Sequence, residues 1–378
     1  MQFILERKEY LEALVLCSKC TQGEESSFSL SRILHRFSEE GLTLISTDGE
    51  NIILKNIEVL EGDGDFSILV DHYRLIKILS EIHDKYITLS FDDNEHTMVL
   101  GVENGKYVMP TFGRDYPNIG DRIGNDGDAS CSSITVKSLI LKDAMTRAIS
   151  MVSTDNLRPV LCCVCFDGNS DGVNIVGADI CGASISNIKT LNASPFKGLI
   201  FSKSAKLCLK LLSSEDSEDI KVVFGEKYMR FITPTYNLYC QLIHSPYPNY
   251  GAMLVDGDKS LTIDKDMLLS AIKRVSAFSG ALSSIIKMDI RHDGKIEVST
   301  SNKSFKTSAS ETVDCEYAGE DTSICFDVDK MKKILSGFNK ECNIIINFTD
   351  HESMVTIKPS KTVSIYSTSY KILPMIPV

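Results

Sequence analysis

The segment SILVDHYRLIKIL, residues 67–79, joins a short apolar strand to an amphipathic helix. The apolar run stops at Asp71, and apolar residues then recur at helical spacing. An Asp or Ser at such a junction caps the free amides of the first helical turn. The pattern returns in GLIFSKSAKLCLKLL, residues 198–212, and in SICFDVDKMKKIL, residues 323–335, with Ser or Asp at the junction. The recurrence predicts one domain plan that is used three times.

Two further landmarks repeat in the same order around this segment. An alternating strand followed by a helix opens each copy at residues 3–14, 134–145 and 261–272, with offsets of 131 and then 127 residues. A strand and a proline turn close each copy, as at Tyr116-Pro117. A period near 130 residues indicates whole domains and not the short units of a solenoid. We therefore expect three domains, 1–130, 131–257 and 258–378, with a linker rich in Gly, Asp and Ser at 120–133.

The stretches between the landmarks are short alternating strands separated by turns such as Asp48-Gly49 and Asp167-Gly168. Two helices packed on antiparallel sheet in each copy make the predicted fold class α+β. The six helices are expected at roughly 6–20, 71–80, 137–150, 203–212, 264–275 and 328–337.

The chain has twelve cysteines, and a disulfide framework is typical of small secreted proteins instead. Cys162, Cys163 and Cys165 lie in an apolar run that is typical of a buried strand. Cys17-x-x-Cys20 has the spacing of metal ligands, but no second pair follows to complete a site. We expect reduced thiols, no metal and no cofactor. The absence of a signal peptide and of a membrane-length apolar run favours a soluble, cytoplasmic protein with no membrane partner.

Four local motifs carry a resemblance to a known family: RDYPNI at 114–119, VGAD at 176–179, PYPNY at 246–250 and YKILPM at 370–375. With the order and length of the repeats, they resemble the bacterial sliding clamp, the beta subunit of DNA polymerase III. The resemblance covers essentially the whole chain. It implies a homodimeric ring of six domains, joined head to tail, with helices lining the hole and sheets outside. Such a ring slides on duplex DNA, tethers the replicative polymerase for processive synthesis and catalyses nothing.

The net charge of −11 and the pI near 5.2 conflict with a simple DNA-binding domain, which is usually basic on its contact face. The six expected helices nevertheless contain 17 Lys or Arg against 8 Asp or Glu. A ring holds DNA by topology and needs only a mildly positive lining, and an acidic exterior discourages DNA from binding outside. The residues expected to face DNA are Lys19, Arg74, Lys77, Lys142, Arg147, Lys203, Lys206, Lys210, Lys273, Lys332 and Lys333.

The resemblance also implies a pocket between the second and third domains, where DNA polymerase III alpha and clamp-loader subunits bind through short peptides. The matching positions are Leu161, Ala178, Asp179, Pro248, Met253, Leu373, Pro374 and Met375. Ordinary core packing at a domain boundary is the alternative for these residues. The family's basic positions on the rim are replaced here at Gly182 and Ala252, so we expect a more apolar pocket with an altered peptide preference.

At the seam between two subunits, the strand Lys106 to Met109 is expected to pair with an edge strand of the partner's third domain. Tyr107, Met109 and Phe278 are the candidates for its apolar part, and burial within their own domain is the alternative.

Two other functions stay open from the residues alone. One is a repeat-built scaffold that binds peptides without DNA, against which the basic helices argue. The other is an uncharacterised hydrolase, since a carboxylate pair brought together by folding leaves no sequence motif. The motifs of nucleotide-binding loops, zinc proteases and serine hydrolases are absent from the sequence, and no catalytic residue is expected.

Overall fold

The computed structural model describes residues 1–23, 28–62, 64–92, 94–113, 116–117, 119, 131–189, 195–212, 219–280, 284–302, 305–338, 342–362 and 364–376. The expected linker at 120–133 therefore falls, up to residue 130, outside the described residues. None of the helices in the described ranges has the length and apolar character needed to cross a membrane.

The elements follow one order three times: a strand, a helix, four strands, a helix and three strands. The first copy contains β1 (Gln2–Glu6), α1 (Arg7–Ser18), β2 (Ile33–Ser38), β3 (Gly41–Thr47), β4 (Asn51–Ile57), β5 (Phe66–Val70), α2 (His72–Glu81), β6 (Tyr86–Asp92), β7 (Thr97–Val102) and β8 (Gly105–Phe112). The second contains β9 (Ser132–Lys137), α3 (Ser138–Met151), β10 (Cys163–Asn169), β11 (Gly172–Ala178), β12 (Gly182–Ile188), β13 (Phe196–Phe201), α4 (Ser202–Leu212), β14 (Asp219–Phe224), β15 (Tyr228–Ile232) and β16 (Asn237–Gln241). The third contains β17 (Lys259–Asp264), α5 (Lys265–Val275), β18 (Ile285–Arg291), β19 (Lys295–Asn302), β20 (Thr307–Asp314), β21 (Thr322–Asp327), α6 (Val328–Ser336), β22 (Asn343–Phe348), β23 (Val355–Pro359) and β24 (Tyr366–Ile372).

The six helices begin and end within two residues of the expected positions. Two of the three expected caps are present: the Asp71 carboxylate accepts from the amides of Tyr73 and Arg74, and that of Asp327 accepts from Lys330. Ser202 is instead the first residue of α4. The helix starts are therefore set largely by local sequence.

Within the described residues, the strands form sheets of twelve, eight and four, and every pairing between these strands is antiparallel. The α+β class is thereby confirmed. Two pairings join successive copies: β4 with β16, and β12 with β24.

The chain divides into two compact units, residues 1–138 with 206–242 and residues 139–205 with 243–378. The twelve-stranded sheet belongs to the first unit and the other two sheets to the second. This division cuts through the second copy, so the three-domain boundaries stay a prediction.

The apolar run with three cysteines differs in part from its prediction. Pro159–Cys162 forms a short 3-10 helix, and β10 begins only at Cys163. Proline suits the first position of such a turn because its missing amide hydrogen is not needed there. Burial raises the pKa of Cys163 and of Cys165 to about 12, so both thiols stay protonated in the core of the second unit.

Candidate functional site

Most of the cations expected to face DNA are solvent-exposed. Seven are exposed on their helices: Arg74, Lys77, Lys203, Lys206, Lys210, Lys273 and Lys333. Lys19, Lys142 and Lys332 are partly exposed. In the first unit, partial burial and the nearby charge of Lys210 lower the pKa of Lys19. The fold thus brings cations from the ends of α1 and α4 near one another, although they are far apart in sequence.

Arg147 is the exception, and its prediction is wrong. The residue is only 4% exposed. Its Nε and Nη2 donate to both carboxylate oxygens of Asp143 at 2.7 and 3.0 Å, and the guanidinium lies 5.2 Å from the ring of Phe338. An arginine held in this way joins helix α3 to the third copy within the second unit and is unavailable to DNA.

The candidate peptide pocket is assembled in the second unit. Ala178 lies in an apolar cluster with Tyr247 and Tyr250, and Met253 packs against that cluster. Leu161 is buried but is not a member of the cluster, where its neighbour Val160 is found instead. Pro248 is exposed in the closing segment.

The C-terminal segment of the candidate pocket is fixed by backbone hydrogen bonds. The amide of Leu373 donates to the Cys181 carbonyl and that of Met375 to the Cys325 carbonyl, each at 2.8 Å. The side chains of Leu373 and Met375 are 38% and 37% exposed. Pro374 lies between them. This segment therefore presents two apolar side chains beside the turn that links β11 and β12.

A lysine that the sequence did not suggest stands at this turn. Lys330 Nζ lies 2.7 Å from Asp179 Oδ2, while the amide of Cys181 donates to Oδ1 at 2.8 Å. Burial opposes the charge of Lys330, but the hydrogen bond to Asp179, together with the charge of Asp179 and the nearby Cys181, outweighs it and raises the pKa of the lysine. The two residues are 151 apart in sequence, so no local pattern connects them.

The two positions expected to replace cations on the rim differ in exposure. Ala252 is exposed in the closing segment, whereas Gly182 is buried at the start of β12, and the exposed apolar residue at this turn is Ile180, at 65%. Lys330 supplies a cation near this rim from a different element. The peptide preference of the pocket stays a prediction.

The seam candidates divide between surface and core. Tyr107 and Phe278 are 38% and 48% exposed, whereas Met109 is 3% exposed and lies in the core of its own unit. The prediction for Met109 is therefore wrong. Tyr107, Met109 and Thr111 share one face of β8, and the core of the unit covers that face at Met109 and Thr111 but not at Tyr107. Val108, which the sequence reasoning did not single out, is 67% exposed.

Two strand edges lie open beside these residues. Among the described strands, β8 pairs with β7 along residues 105–110 and reaches β5 only at Thr111 and Phe112. Strand β20 likewise pairs with β19 alone among the described strands.

Comparison with known proteins agrees with this architecture. Residues 1–120 match the family model of the DNA polymerase III beta subunit, N-terminal domain, and residues 255–376 match that of its C-terminal domain. A beta sliding clamp from Streptococcus pneumoniae is 22% identical over 376 residues, covering 96% of each chain. The chain also superposes on DNA polymerase III beta from Pseudomonas aeruginosa with a TM-score of 0.89 at 19% identity. The sliding clamp from Bacillus subtilis gives 0.87 at 17%, and both superpositions cover 100% of each chain.

The chain belongs to the DNA polymerase III beta subunit family. Two family models match it at its two ends, and together they span well over half of its length. Its function is accordingly that of a DNA sliding clamp, a subunit without catalysis of its own. Neither the scaffold nor the hydrolase alternative receives support from these comparisons.

Proposed function

We propose that two copies of this clamp subunit close into a ring by pairing β8 of each chain with β20 of the other. The order of strand pairings carries this proposal. In the first copy β4 pairs with β16, the last strand of the second copy, and in the second copy β12 pairs with β24, the last strand of the third. In both cases the fourth strand of one copy pairs with the last strand of the next copy. By the same rule, β20, the fourth strand of the third copy, pairs with β8, the last strand of a first copy.

The free edges are consistent with this closure. Exposed backbone amides and carbonyls on a long strand edge promote aggregation unless another strand covers them. Pairing between chains satisfies both edges and buries Tyr107, Val108 and Phe278. By symmetry, a two-fold dimer makes this contact twice.

We propose that the ring encircles duplex DNA without reading its sequence. The exposed cations on α2, α4, α5 and α6 support this, since a few Lys and Arg attract phosphates while many close contacts would impede sliding. Arg147 is not among them. The remaining cations are Lys19, Arg74, Lys77, Lys142, Lys203, Lys206, Lys210, Lys273, Lys332 and Lys333.

We propose further that the cleft beside Leu373 and Met375 receives peptides of DNA polymerase III alpha and of the clamp loader. An apolar cleft with exposed methionine adapts to several peptide anchors. We also propose that the chain is divided into three domains, 1–130, 131–257 and 258–378. We propose a cytoplasmic location for the protein, since bacterial DNA is replicated in the cytoplasm.

The test is retention on DNA of defined topology. The protein is loaded on nicked circular DNA by a clamp loader, and the circle is then cut at one site. A ring stays on the circle in high salt and leaves quickly after linearisation. Retention on the linear product, or failure to load, would contradict encirclement. A Val108→Glu variant should dimerise poorly and load poorly. Lys221→Glu, an exposed change on β14 that is several strands away from β8 and lies outside the sheet of β20, should behave as the unaltered protein does.

A further inference from the structure

A cavity of about 310 Å³ opens in the first unit, away from the candidate peptide pocket. Leu34 and Leu69, which face each other on β2 and β5, form its floor with Phe112 and Ile119. Leu69 and Ile119 are 2% and 3% exposed, so the floor is apolar and firmly packed. The next facing pair, Arg36 and Ser67, stands exposed at the mouth.

The internal repeat explains why the described residues leave this space open. Arg36 and Ile119 correspond to Asp167 and Tyr250 in the second copy, each 131 residues later, which is the offset between the opening strands. The facing partner of Asp167 is Lys197, in the place that Ser67 has in the first copy.

In the second copy these groups bind one another. The Tyr250 hydroxyl donates to Asp167 Oδ2 at 2.9 Å, and Lys197 Nζ approaches the same oxygen at 2.9 Å. Lys197 also lies 5.9 Å from the Tyr250 ring. The position is thus filled by a ring, a carboxylate and a cation from the chain itself.

In the first copy two of those three groups are missing. Ile119 has no ring or hydroxyl to fill the mouth, and the carboxylate is replaced by the Arg36 guanidinium. Within the described residues, Arg36 has no ion-pair partner and no side-chain hydrogen bond. The cavity therefore has room for an apolar group above its floor, and no described carboxylate pairs with the cation at its mouth.

We propose that this cavity is a second docking site, which takes a linear peptide with a large apolar residue next to an acidic one. The apolar side chain would enter between Leu34, Leu69 and Phe112. The carboxylate would pair with Arg36, whose planar guanidinium binds carboxylates in a bidentate manner. Charge complementarity favours this occupant, because the Arg36 cation at the mouth has no ion-pair partner among the described residues. The site works independently of ring closure and of the pocket at Leu373.

The test is fluorescence polarisation with a fluorescein-labelled, acetylated Asp-Leu-Phe-Glu peptide and the full-length protein. We expect Arg36→Glu to weaken binding about tenfold or more, the change that follows from losing one charge-assisted pair of about 1.4 kcal/mol. Ser67→Trp should abolish binding by filling the mouth. Lys295→Glu changes the net charge equally at an exposed position elsewhere and should leave the affinity unchanged. Leu373→Glu alters the other pocket, and the binding that remains in that variant should still be lost when Arg36→Glu is added.

Three results would overturn the proposal. Loss of binding in Leu373→Glu alone would place the peptide in the C-terminal pocket only. Equal binding by all variants would mean nonspecific association. A monomeric Ser67→Trp protein in light scattering would mean that a second copy of the chain occupies the cavity. Because Arg36→Glu should still load on circular DNA, failure of this proposal is distinguishable from failure of the ring.

Discussion

Lys330 at the start of α6 donates a 2.7 Å hydrogen bond to the carboxylate of Asp179 at the end of β11. The two side chains are 24% and 20% exposed, so the pair is partly withdrawn from water. This contact ties the turn after β11, where Leu373 is also anchored, to a helix of the third copy. The geometry of the candidate pocket therefore depends on a residue outside every motif of the pocket.

Replacing Lys330 with Ala should destabilise the protein by about 1–2 kcal/mol, between the values for exposed and fully buried ion pairs. The cause is the unpaired Asp179 carboxylate that remains. Urea denaturation measures the change. Lys333→Ala, exposed on the same helix, should shift the free energy of unfolding by no more than about 0.5 kcal/mol. Equal effects of the two changes would show that the ion pair contributes nothing.

Substitutions at Met109 and Val108 should affect different properties, the stability of the fold in the first case and dimerisation in the second. Met109→Ala removes a buried side chain and should cost about 2–5 kcal/mol of stability while leaving the dimer constant of the folded protein nearly unchanged. Val108→Glu should weaken dimerisation with little effect on the fold, because Val108 is 67% exposed. Analytical ultracentrifugation and urea denaturation distinguish the two. The reverse pattern would contradict the edge assignment.

Replacing Arg147 should lower the stability of the protein without changing its binding to DNA. Arg147→Met leaves the Asp143 carboxylate with one fewer partner and should lower the free energy of unfolding by about 2–3 kcal/mol, discounted because Asp143 is 33% exposed. The salt dependence of release from circular DNA should stay as it is. Thr146→Ala, at an exposed neighbour on α3, is the control for stability. A shallower salt dependence in Arg147→Met would restore Arg147 as a phosphate contact.

Because His35 is buried, we expect the protein to lose stability in mild acid. Complete burial lowers its pKa to about 4, and the ring bonds the Tyr10 hydroxyl at 2.8 Å. The unfolded chain takes up a proton near pH 6.5, but the folded chain does so only near pH 4. The stability is thus fully present above pH 6.5 and falls as the pH drops towards 4, by up to about 3 kcal/mol.

Substitution tests this assignment. His35→Gln should flatten the stability profile between pH 6.5 and 4, since glutamine does not titrate. His72 has a pKa lowered to about 4 by burial as well, so part of the slope should remain. His351→Ala, at an exposed histidine, should leave the profile as it is. An unaltered slope in His35→Gln would assign the acid sensitivity elsewhere.

Much of the fold could be predicted because its signals are local. The alternation of apolar residues set the strands, and a carboxylate such as Asp71 or Asp327 caps a helix with amides two or three residues away. The threefold recurrence of these signals gave the repeat, and the matched motifs pointed to the clamp family. Each of these features depends on neighbours in sequence.

The candidate sites could not be predicted from the spacing of residues in the sequence alone. The sequence places Arg147 and Lys142 on one helix, but only the packing of Asp143 and Phe338 decides that Arg147 is buried. It shows no link between Lys330 and Asp179, because the two meet only when α6 and β11 are folded together. Likewise, the repeat aligns Arg36 with Asp167, but only the folded structure shows that Arg36 has no ion-pair partner among the described residues.

By itself, the sequence determined the repeat, the helices, most strands and the family, because local hydrogen bonding and apolar periodicity act over a few residues. The tertiary structure alone decided which cations reach solvent, which strand edges lie open and which repeat keeps a cavity. Those outcomes depend on burial and pairing between residues that are far apart in the chain. The free energy of a charged side chain, or of an unpaired strand edge, depends on the groups that pack against it in the folded protein.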